Sequence, residues 1–373
     1  MLILKKILFV IGSLQIGGAE TVMVDILNNI YKDFDITVLL IEKRGELLKS
    51  ISPNIKLKYL TKGDEFCKSS LEKFYNKVKR SLIYRYFGKS KLYVNYVYKK
   101  ILKTKYDTEI AFLAGLPSNL VKMSPNNSQK IVWIHASVTK DDVTTYEKYS
   151  TICNSFDKII GVSESCINIF EETFPESKGK IELIHNYVDI NKIINKSNLE
   201  NISFDSDKLN ILSIGRIVSE KGFDRIINIA KKYENKINFY IIGDGPLKDK
   251  LMHSLVEQKI NNVIFLGLKK NPYPYIKKCD AFLLSSRSEA YPTVVIEAMV
   301  LNKSIIATDV PGVREILNEY SDKVIIPNLD NSIDEGLNIW LSKKNDNKNL
   351  TNNFKKINDD NLRKVKKLFE YGD

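Results

Sequence analysis

Cysteine is scarce in this chain: Cys67, Cys153, Cys166 and Cys279 are the four in 373 residues. They form no Cys-x-x-Cys pair and are too scattered for a disulfide framework, which fits a reducing cytoplasm. Long apolar runs are absent as well, and nothing approaches the ~20 residues of a membrane-spanning helix. The apolar run after Lys5-Lys6 is only superficially a signal peptide, because it breaks at Gly12 and a glycine-rich loop follows; it reads as a buried first strand. No repeat of solenoid period is present. Acids are missing from one region in particular. Between residues 68 and 105, twelve Lys and Arg face one acid, Glu72, and six tyrosines are interleaved. Basic residues mixed with aromatics at helical spacing can seat an element on anionic lipid headgroups. The alternative is a solvated basic face over a core stripe of tyrosines. No nucleic-acid motif accompanies the charge, so nucleic acid is not expected as a partner.

A length of 373 residues with 43% hydrophobic content allows two globular cores. Short apolar runs alternate with longer amphipathic ones. Residues 7–11, 36–41, 109–113, 131–134, 158–162 and 181–184 read as strands, and a second series lies near 211 and at 239–242, 263–266, 281–284, 304–307 and 324–326. Such alternation predicts an α/β class with two parallel sheets wrapped by helices. The expected division is residues 1–188, a polar connection at 189–208, residues 209–350, and a tail or helix over 351–373. The asparagine- and lysine-rich stretch 343–361 reads as partly mobile, with a terminal helix over 362–371.

The most informative stretch is Ser285-Ser286-Arg287-Ser288-Glu289-Ala290-Tyr291-Pro292-Thr293-Val294-Val295-Ile296-Glu297-Ala298-Met299. It follows an apolar strand, and Pro292 is expected to open a helix, because proline at the first helical position loses no hydrogen bond. Glu289 then sits in a strand-to-helix loop. The first-turn amides, including those of Thr293 and Val294, carry the positive end of the helix dipole and suit a phosphate. Glu297 lies about two turns further along. One carboxylate can accept from a sugar hydroxyl and the other from a diol such as a ribose. Ile211-Leu212-Ser213-Ile214-Gly215-Arg216, followed by Lys221 and Gly222, sets two cations just past another apolar strand. Ligands of open parallel sheets bind beyond the carboxyl ends of the strands. Gly17, His135, Arg216, Gly243 and Glu289 each follow a predicted strand closely, so facing domains would turn them into one cleft.

Taken in order, these residues resemble the retaining glycosyltransferases of family 4, of the bacterial surface-polysaccharide type. The supporting runs are Ile7-Leu8-Phe9-Val10-Ile11-Gly12 with Gly17-Gly18-Ala19-Glu20, Ile131-Val132-Trp133-Ile134-His135, His185-Asn186-Tyr187-Val188-Asp189 and Gly243-Asp244-Gly245-Pro246. Two positions depart from the commoner form: Ala290 stands where glycine is usual, and Asn302-Lys303-Ser304 replaces Gly-Lys-Pro. The resemblance implies a GT-B fold, two doubly wound Rossmann-like domains facing a central cleft, with the acceptor in the first and the nucleotide-sugar in the second. It implies a catalytic set of His135, Arg216, Lys221 and Glu289. Gly17, Gly18, Leu268, Tyr291, Pro292, Thr293, Val294 and Glu297 are the expected donor-binding set. His185 is expected to serve the interdomain connection and His253 a helix surface. No cofactor or metal is expected: the two Asp-x-Asp runs, Asp33-Phe34-Asp35 and Asp205-Ser206-Asp207, are badly placed for the cleft, and Arg216 and Lys221 can neutralise a diphosphate.

The function implied is transfer of a sugar, with retention, from a nucleotide-sugar of the UDP type to a hydroxyl of a lipid-linked or growing surface glycan. Capsule or lipopolysaccharide synthesis is the setting, peripheral on the inner face of the cell membrane. A hydrolysing epimerase shares the architecture but resembles a different motif set. A catalytically silent partner of another transferase, binding nucleotide-sugar or membrane, is the rival class; it has no need to keep Arg216, Lys221, Glu289 and Glu297.

Overall fold

The computed structural model describes residues 4–136, 146–147, 149–205, 207–343 and 352–370. They fall into two units, Met1–Tyr187 with Asn358–Asp373, and Val188–Ile357. In the first unit, strands β1 (Lys6–Ile11), β2 (Asp35–Lys43), β3 (Lys56–Lys62), β4 (Thr108–Ala111), β5 (Gln129–Ile134), β6 (Lys158–Gly161) and β7 (Ile181–Leu183) make one sheet. Its order is β3-β2-β1-β4-β5-β6-β7, and every pairing is parallel. In the second unit, β8 (Leu209–Ile214), β9 (Ile237–Ile242), β10 (Val263–Gly267), β11 (Ala281–Leu284), β12 (Ser304–Thr308) and β13 (Lys323–Ile326) run in the order β10-β9-β8-β11-β12-β13, again all parallel. These are two Rossmann-like sheets.

The central strands are continuous apolar runs because helices cover both sheet faces. Residues 7–11 of β1 and all four residues of β11 are buried. Strand β3 was not expected. Its sequence Lys56-Leu57-Lys58-Tyr59-Leu60-Thr61-Lys62 alternates rather than running apolar, as befits an edge strand with one wet face and lysines against further pairing. In both sheets the chain order reverses once, between β1 and β4 and between β8 and β11. Loops leaving the carboxyl ends of neighbouring strands diverge at such a point and leave room for a ligand.

Two expectations about the chain's polar stretches need correction. The connection at 189–208 begins as a helix, Ile190–Ser197: the Asp189 carboxylate accepts from the Lys192 amide at 2.9 Å as its cap, and Ile193 is buried. This helix belongs to the second unit, where the Asn271 amide donates to the Lys196 carbonyl at 3.0 Å. The tail is helical from Asn352 to Glu370, ten residues earlier than expected; residues 344–351 and Tyr371 lie outside the described residues. Every third or fourth side chain of that helix turns inward. Val365, Leu368 and Phe369 are buried in the first unit, where the Phe369 ring meets Phe9 and Phe34 edge-on, with centroids 5.9 and 5.7 Å apart. Lys366 pairs with Asp33 at 2.7 Å.

Candidate active site

At the order reversal of the second sheet, the loops after β8 and β11 bring Lys221 and Glu289 together. The Lys221 ammonium donates to Glu289 Oε1 at 2.5 Å, and the Ser286 hydroxyl donates to the same oxygen at 2.8 Å. Local backbone makes the approach possible. Gly222 has φ +63° and a Cβ there would lie 2.2 Å from the Ser285 carbonyl oxygen, so the two loops touch only because this residue has no side chain. The Ser285 hydroxyl returns a bond to the Lys221 carbonyl at 2.8 Å. Arg216, also just past β8, is exposed.

The helix after Glu289 runs Thr293–Val300, with Pro292 as its cap rather than its first residue. Its first turn closes from the Val295 amide to the Pro292 carbonyl at 3.1 Å, so the Thr293 and Val294 amides stand at the amino end without intrahelical partners. Thr293 and Glu297 are each 8% exposed, and Tyr291 is buried, which pushes its phenol above the ordinary range. Leu268 is about half exposed just beyond β10, the edge strand three positions from β11. A cavity of about 790 Å³ lies at the opposite, amino-terminal ends of these strands, lined by Phe204, Asp205, Asn210 and Asp280 among others, away from the Lys221–Glu289 pair.

A polar frame behind the pair was not anticipated. Buried Arg225 donates to the carbonyls of Ser285 (3.1 Å) and Ser286 (3.4 Å), to Asn328 Oδ1 (2.8 Å) and to Asp330 (2.7 Å). Arg287 forms a bidentate pair with Asp224 at 2.8 and 2.7 Å and reaches Asp330 at 3.0 Å. Arg287 holds the Asp224 carboxyl below its usual range, and Arg225 does the same for Asp330. In sequence, Asp224-Arg225 is an ordinary charged pair beside an apolar helix stripe, and nothing marks it.

The first unit carries the remaining expected residues. His135 follows β5 with its ring 4.9 Å from that of Phe112. The residue is half-buried, but both ring nitrogens are sealed from solvent and have no hydrogen-bond partner among the described residues; burial pushes the imidazole down to about 3. Gly17 and Gly18, both in the expected donor-binding set, lead into the helix Gly18–Ile30. The Glu20 carboxylate folds back over Gly17, with Oε2 2.3 Å from where a Cβ on Gly17 would stand. Burial raises the Glu20 carboxyl, opposed by the hydrogen bond from its own amide. His253 is exposed beside Glu257 on its helix. The Asp-x-Asp carboxylates have other partners: Asp35, at the amino end of β2, pairs with Lys56 at 2.6 Å, Asp33 with Lys366, and Asp205 accepts from Asn238 at 3.1 Å; Ser206 lies outside the described residues.

Residues 195–357 match the family model for glycosyl transferases group 1. An uncharacterized glycosyltransferase of Methanocaldococcus jannaschii is 31% identical over 242 residues, 59% of each chain. The N-acetylgalactosamine-N,N'-diacetylbacillosaminyl-diphospho-undecaprenol 4-alpha-N-acetylgalactosaminyltransferase of Campylobacter jejuni is 29% identical over 65% of this chain and 70% of that protein. Among solved structures, Anabaena Alr3699/HepE in complex with UDP and glucose superposes with TM-score 0.72 at 15% identity, covering 99% of this chain and all of that one. A point mutant of TarM from S. aureus, in a complex that includes UDP, gives 0.71 at 17% identity over 98% and 100%. At these identities the structural likeness shows the fold. The chain has the GT-B fold, and its second unit carries a region similar to the group 1 glycosyl transferases.

Proposed function

We propose that this chain transfers a sugar, with retention at the anomeric carbon, from a UDP-sugar to a hydroxyl of a lipid-linked or growing surface glycan. The observation that carries the reading is the Lys221–Glu289 contact at the β8/β11 reversal, beside a helix amino terminus. Breaking a sugar–phosphate bond builds positive charge at the anomeric carbon and negative charge on the departing diphosphate. Arg216, Lys221 and the Thr293 and Val294 amides answer the second, and Glu289 orients the sugar and answers the first. Attack on the same face, with the leaving phosphate helping to deprotonate the acceptor, needs no protein nucleophile. Tyr291 and Pro292 shape the donor site, Glu297 takes the ribose, and Leu268 borders the nucleotide. His135, held neutral by burial, serves the transferred sugar through its ring or carbonyl. Glu20 over Gly17 makes that loop a poor phosphate cradle, and Gly17 and Gly18 are assigned to the acceptor hydroxyl. UDP in the Anabaena and S. aureus structures and the lipid-linked substrate in the name of the Campylobacter relative support the donor and acceptor classes.

A peripheral seat on the inner face of the membrane fits residues 68–105. On the helix Ser70–Arg85, Leu71 (82% exposed), Phe74 (67%), Tyr75 (63%), Val78 and Leu82 form one outward apolar stripe, with Lys73, Lys77 and Arg85 also exposed. Tyr84, Tyr86 and Tyr96 are exposed as well, while Tyr98 alone of the six tyrosines is buried, donating to Glu109 at 2.7 Å. A core stripe of tyrosines therefore does not account for the segment. Among the described residues, no helix is long and apolar enough to cross a membrane.

The test is a thermal-shift panel of nucleoside diphosphates and nucleotide-sugars, followed by donor hydrolysis with and without EDTA. A ligand that binds only the folded state raises its stability by mass action. UDP and one UDP-sugar should shift the midpoint, and turnover should survive chelation because the cations and helix amides neutralise the diphosphate. Silence across the panel would remove the reading; loss of turnover restored by manganese would remove its metal-free form.

A further inference from the structure

Glu289 is one residue removed from a buried arginine. Arg225 Nη1 binds the Ser286 carbonyl, and the Ser286 hydroxyl binds Glu289 Oε1. Arg225 also belongs to the helix Phe223–Ala230, which starts immediately after Lys221 and Gly222. One side chain therefore spans the two loops whose tips form the Lys221–Glu289 contact. Burying it is costly, which argues for a role beyond stability. A buried guanidinium is expensive to desolvate unless its donors are met, and an apolar side chain of similar volume is often no less stable. Here the donors are met by four acceptors on two different segments, Ser285 and Ser286 after β11, and Asn328 and Asp330 after β13. A lysine, with one compact head, could not reach both sets. Thr308 adds a 2.6 Å bond to the same Ser286 carbonyl, so that peptide is pinned from two sides.

We propose that Arg225 is a positioning residue for the transfer reaction, holding the Ser285 and Ser286 backbone so that Glu289 meets Lys221. The inference rests on the transferase reading above. It separates Arg225 from residues that merely stabilise the unit, because its effect should pass through Glu289 and fall on the chemical step rather than on nucleotide binding.

The experiment measures UDP-sugar hydrolysis and calorimetric UDP binding for the parent, Arg225→Met, Asp330→Asn, Glu289→Gln and the Arg225→Met/Glu289→Gln double variant. Asp330→Asn, at an exposed carboxylate, loosens Arg225 without leaving a buried place unfilled and serves if Arg225→Met folds poorly. Misplacing a reacting group by about 1 Å can cost on the order of a hundredfold. Arg225→Met should lower kcat by roughly ten- to a hundredfold with UDP affinity within about twofold, and Asp330→Asn should lower it less. With Glu289 already changed, the Arg225 substitution should cost little more, since the two act as one unit. Unchanged kcat in both Arg225→Met and Asp330→Asn, or equal losses from Arg225→Met in the two backgrounds, would overturn the role. A parent that neither binds UDP nor hydrolyses any donor would instead remove the transferase reading itself, and Arg225's role with it.

Discussion

At Glu289 a single carboxylate oxygen takes both the Lys221 ammonium and the Ser286 hydroxyl, so charge and shape can be probed separately. Glu289→Gln keeps the size and an acceptor for Ser286 but removes the charge; Lys221→Ala leaves the carboxylate without its cation. Each should cut donor turnover by about two orders of magnitude, since a preorganised charge in such a site is worth about 3 kcal/mol, while the melting midpoint moves little. Near-parental turnover in either would dismiss the pair as the reacting centre. His135 offers a test in pH. Its imidazole is held down to about 3, below an ordinary value near 6.5, so the unfolded chain takes up a proton first as acid is added. The resulting stability is present above about pH 6.5 and is lost as pH falls towards 3, with a limiting slope of roughly 1.4 kcal/mol per pH unit. His135→Phe should lose that slope, so its midpoint should gain on the parent's as the buffer is acidified from pH 7 to 5. Parallel curves would mean that the ring nitrogens are wetted.

The basic helix Ser70–Arg85 is the element whose face decides its role. Arg80 is engaged with Glu42 inside the first unit, so it is a poor choice for charge reversal. Lys73, Lys77, Lys79 and Arg85 changed to Glu should release the protein from anionic vesicles while sparing hydrolysis of a soluble donor. Parental binding should weaken with salt, because exposed charges are screened over about 8 Å at physiological ionic strength. Leu71→Ser with Phe74→Ser should leave a weaker, more salt-sensitive association. Binding by the charge-reversed variant equal to the parent's would return the stripe to solvent. The same level shows what the sequence could reveal. Twelve of the strands were legible because parallel strands covered on both faces are apolar runs; β3 was not, because an edge strand needs only every second residue apolar. The helix Ile190–Ser197 was hidden among asparagines, its signals being only the cap at Asp189 and the short spacing of Ile190, Ile193 and Ile194. Lys221, Glu289 and the helix start at Thr293 were readable because each follows a strand with its own local mark. Arg225 and Asp330 lie 105 residues apart and meet only in the folded unit. Glu20's fold over Gly17 depends on a rotamer that no spacing encodes.

For the molecule as a whole, the helix Asn352–Glu370 is the test of how the first unit is completed. Phe369→Ala removes a fully buried ring from between Phe9 and Phe34 and should cost about 3–5 kcal/mol. A thermal midpoint does not say which of the two units has lost stability, so hydrogen exchange resolved by peptide is the appropriate measurement. Protection should fall in β1 and β2 and stay at the parental level in β8 and β11. Uniform loss across both units would show that the helix supports more than the sheet it lies on.

The same docking bears on how the protein is made. Residues 4–187 leave the ribosome long before residues 358–370, with all of the second unit synthesised between them. At ~5–20 residues per second, the groove for Phe369 stays open for something like ten to forty seconds on a half-finished chain. Phe9 and Phe34 are then available to any passing apolar surface. Nascent chains stalled just before residue 352 should therefore bind a chaperone that recognises exposed aromatics, and chains extended past residue 370 should let it go.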